Sequence, residues 1–278
     1  MIKTGIHQEA YFGPLEFKEG LKLMAKHGYD AVDLNLAGEP IDKYSDNEYL
    51  KYLTELKKAG DENGIEFFQA HGNASTVDMV NDIKINDFIE RQFLTCEKLG
   101  CKYIVFHPYT DGYILNAFSH DEIFERNLEL FTKLIPSAKN HGVTMCIENL
   151  PFRWFEMCRV TAIKKLIDTI NDQNVKACFD TGHANVLHED IYKSVKLLGS
   201  DLKVLHVHDN YGGEDDRHYF PFRGNIDWAK FVQGLNEIGY RGVMNLETQV
   251  SVNTPEPMRD QIRQGVFGIA KYLAEGVK

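Results

Sequence analysis

No run of this 278-residue chain approaches the roughly 20 apolar residues that a membrane helix needs. Its first residues also lack the basic-then-apolar layout of a signal peptide, so cytoplasmic residence is the expectation. Cysteine is scarce and odd in number: Cys96, Cys101, Cys146, Cys158 and Cys178 include no C-x-x-C pair. That argues against a disulfide framework and agrees with a reducing compartment. Lys/Arg-rich runs are missing too, and Lys57-Lys58 and Lys164-Lys165 read as solvated helix faces. With a formal net charge of −10 and a pI near 5.6, nucleic acid is disfavoured as a partner. No G-x-G-x-x-G loop follows an early strand, which weakens an open doubly wound sheet.

What the chain does have is a regular alternation of strand and helix with no low-complexity linker. Short apolar runs predict strands at 2–6, 31–36, 65–70, 103–107, 144–148, 177–180, 204–206 and 243–247. Amphipathic stretches predict helices at 16–26, 48–59, 88–99, 123–138, 162–170, 191–198, 228–238 and 261–274. Many of these helices finish on a glycine just before the next strand, as in His27-Gly28, Asn63-Gly64, Leu99-Gly100, His141-Gly142 and Ile238-Gly239. Glycine accepts the left-handed conformation that stops a helix. Eight such units predict an α/β fold of the (β/α)₈ TIM barrel type, one domain spanning 1–278, with its active site at the carboxyl ends of the strands.

Four strands in the second half end in metal-type ligands. They are Met145-Cys146-Ile147-Glu148, Ala177-Cys178-Phe179-Asp180, Lys203-Val204-Leu205-His206 and Met244-Asn245-Leu246-Glu247. Ionisable groups buried at strand ends are costly unless they pair or bind a cation. Two Glu, one Asp and one His suit a divalent ion held by oxygen and nitrogen. Each residue alone has a plainer role: Glu148 and Asp180 as helix caps, His206 or His208 as a satisfied core imidazole. Four together favour a metal centre.

Other polar residues fall at the same rim. His183 follows Asp180 by three positions, with Gly182 read as permitting a tight turn. His206 and His208 share one face of their strand. His71 and His107 end the third and fourth strands and are candidates for facing a substrate; the case for His7 is weaker. His27, His120, His141 and His188 read as helix-end or surface residues. In the long loop after His208, Asp216, Arg217 and His218 are candidates first for substrate contact, with another metal or a solvated loop as alternatives; Gly224 turns the chain, and Asp227 caps the next helix at Trp228.

The order Ile-Glu-Asn, Phe-Asp-Thr-Gly-His, Leu-His-Val-His-Asp, Gly-Asn-Ile-Asp-Trp and Leu-Glu-Thr resembles the xylose-isomerase-like barrels. These include sugar phosphate isomerases and epimerases, ketose 3-epimerases, inositol-catabolism enzymes and endonuclease IV. The resemblance implies one divalent metal ion (Mn, Mg, Co or Zn) held by Glu148, Asp180, His206 and Glu247. It implies isomerisation or epimerisation of a small sugar, sugar phosphate or inositol-like substrate by proton transfer through an enediolate. Glu148 and Glu247 would then be acid and base, with His183, His71, His107, His218 and Arg223 near the substrate.

Two departures stand out. Trp154 occupies the position of a substrate-binding Glu of the ketose 3-epimerases, and His218 that of their substrate-binding Arg. Arg223 falls in the family's Pro-Gly-Glu-Gly loop, here Pro221-Phe222-Arg223-Gly224, where it could meet an anionic group. A rival resemblance is to endonuclease IV, a three-zinc phosphodiesterase acting on abasic DNA, whose extra ligands match His71, His107, His183, Asp216 and His218. A sugar-binding barrel without turnover is a third reading. The aromatics Trp154, Phe155, Tyr219 and Phe220 are candidates for a lid or for self-association into a homo-oligomer.

Overall fold

The computed structural model describes residues 1–12, 16–36, 45–73, 87–110, 118–214, 216–251 and 253–278. Its eight strands are β1 (Lys3–His7), β2 (Ala31–Asn35), β3 (Glu66–His71), β4 (Tyr103–Phe106), β5 (Thr144–Glu148), β6 (Val175–Asp180), β7 (Leu202–His206) and β8 (Val243–Leu246). They pair in parallel in the order β7-β6-β5-β4-β3-β2-β1-β8. The last seam, between β7 and β8, is a bridge at Val207 and Leu246, where Val207 N–H donates to Asn245 O and Glu247 N–H donates to Val207 O. A near-closed TIM barrel results, as the alternation predicts.

The outer ring follows the expected periodicity: α2 (Phe17–His27), α3 (Asp46–Asn63), α4 (Asp87–Leu99), α5 (His120–Asn140), α6 (Val160–Ile170), α8 (Ile191–Leu198), α9 (Trp228–Glu237) and α10 (Glu256–Gly276). Two short helices, α1 (Glu9–Phe12) and α7 (Thr181–Val186), were not expected. Helix α2 shows why the ring forms. Leu21 and Met24 are fully buried while its lysines face outward, and Gly28 at φ 107° stops it. Truncating Leu21 to alanine would cost about 2–5 kcal/mol by the usual cavity penalty. Helix α5 opens on a capping box: Glu122 N–H donates to Ser119 Oγ, and Ser119 N–H donates to Glu122 Oε2.

The boundaries that sequence patterning missed have physical reasons. Helix α10 begins at Glu256, before the expected 261; buried Arg259 interrupts the apolar stripe there and hid the first turn from sequence patterning. Arg263 donates to Ala10 O and to Glu256 and lies over the Tyr11 ring, so its charge is satisfied inside the packing. His27 does sit at a helix end, but it is buried. The Tyr11 hydroxyl is 2.7 Å from its Nδ1, and Asp260 Oδ1 is 2.9 Å from its Nε2. All five cysteines are free and buried. Cys146 and Cys178 pack with Val105 and Val204 inside the barrel as small apolar side chains. No helix among the described residues is long and apolar enough to cross a membrane.

Candidate metal centre at the barrel mouth

Beneath the mouth, Asp33 of β2 is fully buried. Its Oδ2 accepts from Gln69 Nε2 and Asn245 Nδ2, each at 3.0 Å, and lies 3.1 Å from His206 Nε2. That last approach does not complete a hydrogen bond, but the carboxylate favours a proton on Nε2 by charge. The other ring nitrogen, Nδ1, is then left to face upward, 2.8 Å from Glu148 Oε1 and 3.5 Å from Glu247 Oε2. The carboxylate behind the imidazole fixes the tautomer from below, as in metal sites where a second carboxylate orients a ligating histidine.

Glu148, Asp180, His206 and Glu247 converge at the strand ends with one ligand atom from each lying within 4.8 Å of the others. Glu148 Oε2 and Glu247 Oε2 are buried without a hydrogen bond. Burial pushes the Glu148 carboxyl upward, but His206, His107 and His71 hold it well below the ordinary carboxylate range. Glu247 is lowered in the same way against its burial, by His206 and His218. Burial opposes a charge on His206, which its acid neighbours, Glu148 and Glu247 included, nevertheless raise. Such a cluster holds more negative charge than its own groups neutralise. Orphaned buried carboxylate oxygens plus an oriented imidazole fit a divalent cation.

Two further groups flank this one. His71, His107 and Glu148 form the first, and His183, His208, Asp216 and His218 the second. Three of their rings share a signature. His71 Nδ1 meets Gly72 O at 3.1 Å, His183 Nδ1 meets Asn149 O at 2.9 Å, and His218 Nδ1 meets Glu247 O at 3.0 Å. In each, a backbone carbonyl accepts from Nδ1–H, keeping the proton there and leaving Nε2 to face a carboxylate. His71 Nε2 is 3.4 Å from Glu148 Oε2, with His107 Nε2 3.2 Å from the same oxygen. His183 Nε2 is 3.4 Å from Asp216 Oδ2, and His218 Nε2 3.8 Å. Burial opposes protonation of His183, but Asp180 and Asp216 raise it to about 10. His218 is likewise raised to about 9 against its burial, chiefly by Asp216.

Local geometry explains several of these placements. Asp180 accepts from His183 N–H at 2.6 Å, so it caps α7 as well as joining the cluster. Gly182, read from sequence as a turn residue, lies inside α7 instead. A Cβ there would stand 1.9 Å from the His208 ring. His208 in turn lies 3.0 Å from Asp180 and stacks on His218 with centroids 3.9 Å apart. Buried Asp209 ties down the loop after β7, accepting from Asn210, Gly224 and Ile226 N–H and from Trp228 Nε1. That loop carries Asp216 and His218 to the mouth. Gly224 is required there by close approach: a Cβ would meet Asn210 O at 2.1 Å. Asp227 caps α9 as expected, accepting from Lys230 N–H.

Arg223 stands apart from these groups, exposed, with its guanidinium 4.0 Å over the Tyr219 ring. Trp154 is 71% exposed, whereas Phe155 and Phe220 are partly buried against the core. Sequence reasoning passed over Asp33, Gln69 and Asn245. The available signal was an Asp in the middle of the strand Ala-Val-Asp-Leu-Asn, where an unpaired charge would be costly.

A family model described as Xylose isomerase-like TIM barrel matches residues 21–267. The D-psicose 3-epimerase of Ruminiclostridium cellulolyticum is 26% identical, covering 94% of this chain and 93% of its own length. The probable endonuclease 4 of Metamycoplasma arthritidis is 27% identical, covering 95% of this chain and 98% of its own. A solved structure of the IOLI protein with a bound zinc atom superposes with a TM-score of 0.76 at 21% identity, covering 98% of this chain and 96% of that one.

Proposed function

The chain belongs to the xylose isomerase-like TIM barrel family, and on that footing we propose that it is a divalent-metal-dependent isomerase or epimerase of a small sugar or sugar derivative. The observation that carries this reading is the convergence of Glu148 and Glu247 with Asp180 and His206 at one point of the mouth. Those four residues would hold a divalent cation, which would supply Lewis-acid polarisation and so acidify a C–H beside a carbonyl.

The chain's own groups do the rest. Glu148 and Glu247 are both held ionised at neutral pH, so either can accept a proton from carbon. One removes it, and the other, once it has taken a proton from solvent, returns that proton from the opposite side of the carbon. His183, its Nδ1 pinned by Asn149 O, offers Nε2 to a substrate oxygen. His71, His107 and His218 line the remaining rim. Arg223 is assigned no contact with the reacting atoms.

Incubation in heavy water with candidate ketoses and inososes tests the proposal, because proton transfer labels the product carbon. Glu148→Gln and Glu247→Gln are each expected to slow labelling by about a hundredfold to ten-thousandfold. Labelling that persists at wild-type rate in both variants would overturn the assignment.

One observation favours a second reading. The group with His71 and His107 shares Glu148 with the central one, and the group around Asp216 adjoins it through His183, 3.6 Å from Glu148, so three candidate cation groups lie side by side, an arrangement suited to phosphodiester hydrolysis. Against it stands the net charge of −10, which repels a phosphate backbone. Cleavage of an abasic-site oligonucleotide, with no labelling of any sugar, would select this reading over the first.

A further inference from the structure

The mouth continues past the candidate metal centre into a cleft that runs from Glu247, His71 and His218 to Glu9, Asn35 and Gln249. The far wall is built around Glu9, the first residue of α1. Asn35 Nδ2 donates to Glu9 Oε1 at 2.9 Å, and Gln249 Nε2 lies 3.4 Å from Glu9 Oε2. Three elements are thereby joined: α1 after β1, the end of β2, and the segment after β8. A carboxylate offers about four lone-pair sites, so two amide donors leave it able to accept from further hydroxyls. No Lys or Arg among the described residues lines this cleft. Arg223, the sequence's candidate for an anionic group, is stacked on Tyr219 outside it.

We propose that Glu9, held by Asn35 and Gln249, is the specificity-determining residue of a subsite that accepts the hydroxyls of an uncharged polyol chain and rejects a phosphorylated one. The inference rests on the isomerase reading above and narrows it to free sugars. A hydroxyl donates to a carboxylate in a strong, charge-assisted bond. A phosphate ester at neutral pH has only acceptor oxygens and close to two negative charges, so at the same wall it meets repulsion and no donor. Rejection of this kind is repulsive discrimination built into the pocket.

Two measurements test the subsite. Calorimetry on the purified protein compares D-sorbitol, which has no carbonyl to react, with D-sorbitol 6-phosphate at about pH 7.5, where the ester is dianionic. Deuterium labelling compares D-fructose and D-tagatose with their 6-phosphates. The free compounds are expected to bind at least tenfold more tightly and to label faster. Glu9→Gln, at an exposed position, is expected to weaken sorbitol binding by about ten- to a hundredfold. Metal content and melting temperature should not change. Glu9→Lys is expected to reverse the preference towards the ester.

Phosphate esters bound or labelled as well as the free sugars would overturn the subsite and leave the isomerase reading standing. So would a Glu9→Gln variant whose sorbitol affinity stays within twofold of wild type. Absence of labelling and of binding in both series would overturn the isomerase reading and the subsite together.

Discussion

Asp33 Oδ2 and His206 Nε2 lie 3.1 Å apart at the floor of the mouth, both side chains without solvent exposure. The pair biases which nitrogen of His206 faces the cluster as a ligand, because the carboxylate favours a proton on Nε2 by charge. Asp33 itself is anchored by Gln69 and Asn245, so the orientation reaches from β2 through β3 and β8 to β7. Replacing Asp33 by Asn keeps the shape and removes the charge. The expected result is a ten- to hundredfold loss of metal affinity with the fold retained, measured by competition with a chromogenic chelator. Asp33→Leu also strips the amides of their acceptor, and about 1–3 kcal/mol of stability should go with each orphaned donor. An Asp33→Asn protein that binds metal as tightly as wild type would show that His206 is oriented by something else.

Metal analysis of variants reports how many of the three groups hold an ion. Glu148 belongs to the central group and to the one with His71 and His107, whereas Asp216 belongs only to the group with His183, His208 and His218. Wild-type protein is expected to carry at least one divalent ion per chain. Glu148→Gln is expected to lose the central ion, and Asp216→Asn to keep it. If elemental analysis finds equal metal in wild type and Glu148→Gln, the central group is not the site.

Much of this arrangement was legible in the sequence because barrel strands are buried on both faces and read as apolar runs. Where such a run ends in Glu148, Asp180, His206 or Glu247, the polar residue marks the mouth. The range expected for the strand ending in Glu148 matches the observed one, and the other three differ by one to two residues at an end, as fraying ends allow. What escaped detection depends on three-dimensional closeness. Asp33 sits in the interior of a strand and gains meaning only from His206, more than 170 positions away. Gly182 looked like a turn residue, and only the His208 ring packed against it shows that its missing side chain is the requirement. Glu9 lies on a four-residue helix too short for any periodicity to reveal.

If the outer group also holds an ion, as the phosphodiesterase reading requires, its imidazoles predict opposite pH trends for metal-free and metal-loaded protein. In the metal-free chain burial works against protonation, yet Asp180 and Asp216 raise His183 to about 10, and Asp216 raises His218 to about 9. An unfolded imidazole titrates near 6.5. A raised folded value means that the stabilisation is complete below about pH 6.5 and is lost as pH climbs through about 9 to 10. A bound cation needs the neutral imidazole and competes with those protons, so its affinity grows over the same range. Differential scanning calorimetry with chelator should show the melting temperature falling by several degrees between about pH 7 and pH 10. With saturating metal it should hold or rise. Parallel curves would mean that these histidines do not ligate.

Glycine substitutions separate the packing requirement at the site from simple backbone entropy. A Cβ at position 182 would stand 1.9 Å from the His208 ring, which is itself confined between Asp180 and His218. Gly182→Ala must therefore move His208, Asp180 or the start of α7. Overpacking of this kind costs about 1–3 kcal/mol. Gly265 in α10 has nothing within 4 Å of its would-be Cβ, and its φ is not positive. Gly265→Ala is expected to stabilise by about 0.4–1 kcal/mol, because alanine loses less chain entropy on folding. Urea denaturation measures both, and a metal titration of Gly182→Ala reads the site directly. Since Asp180 serves at once as α7's cap and as a member of the central group, the same substitution should weaken metal binding as well as the fold. A Gly182→Ala protein destabilised as expected but with unchanged metal affinity would show that the cap and the ligand positions of Asp180 are mechanically independent.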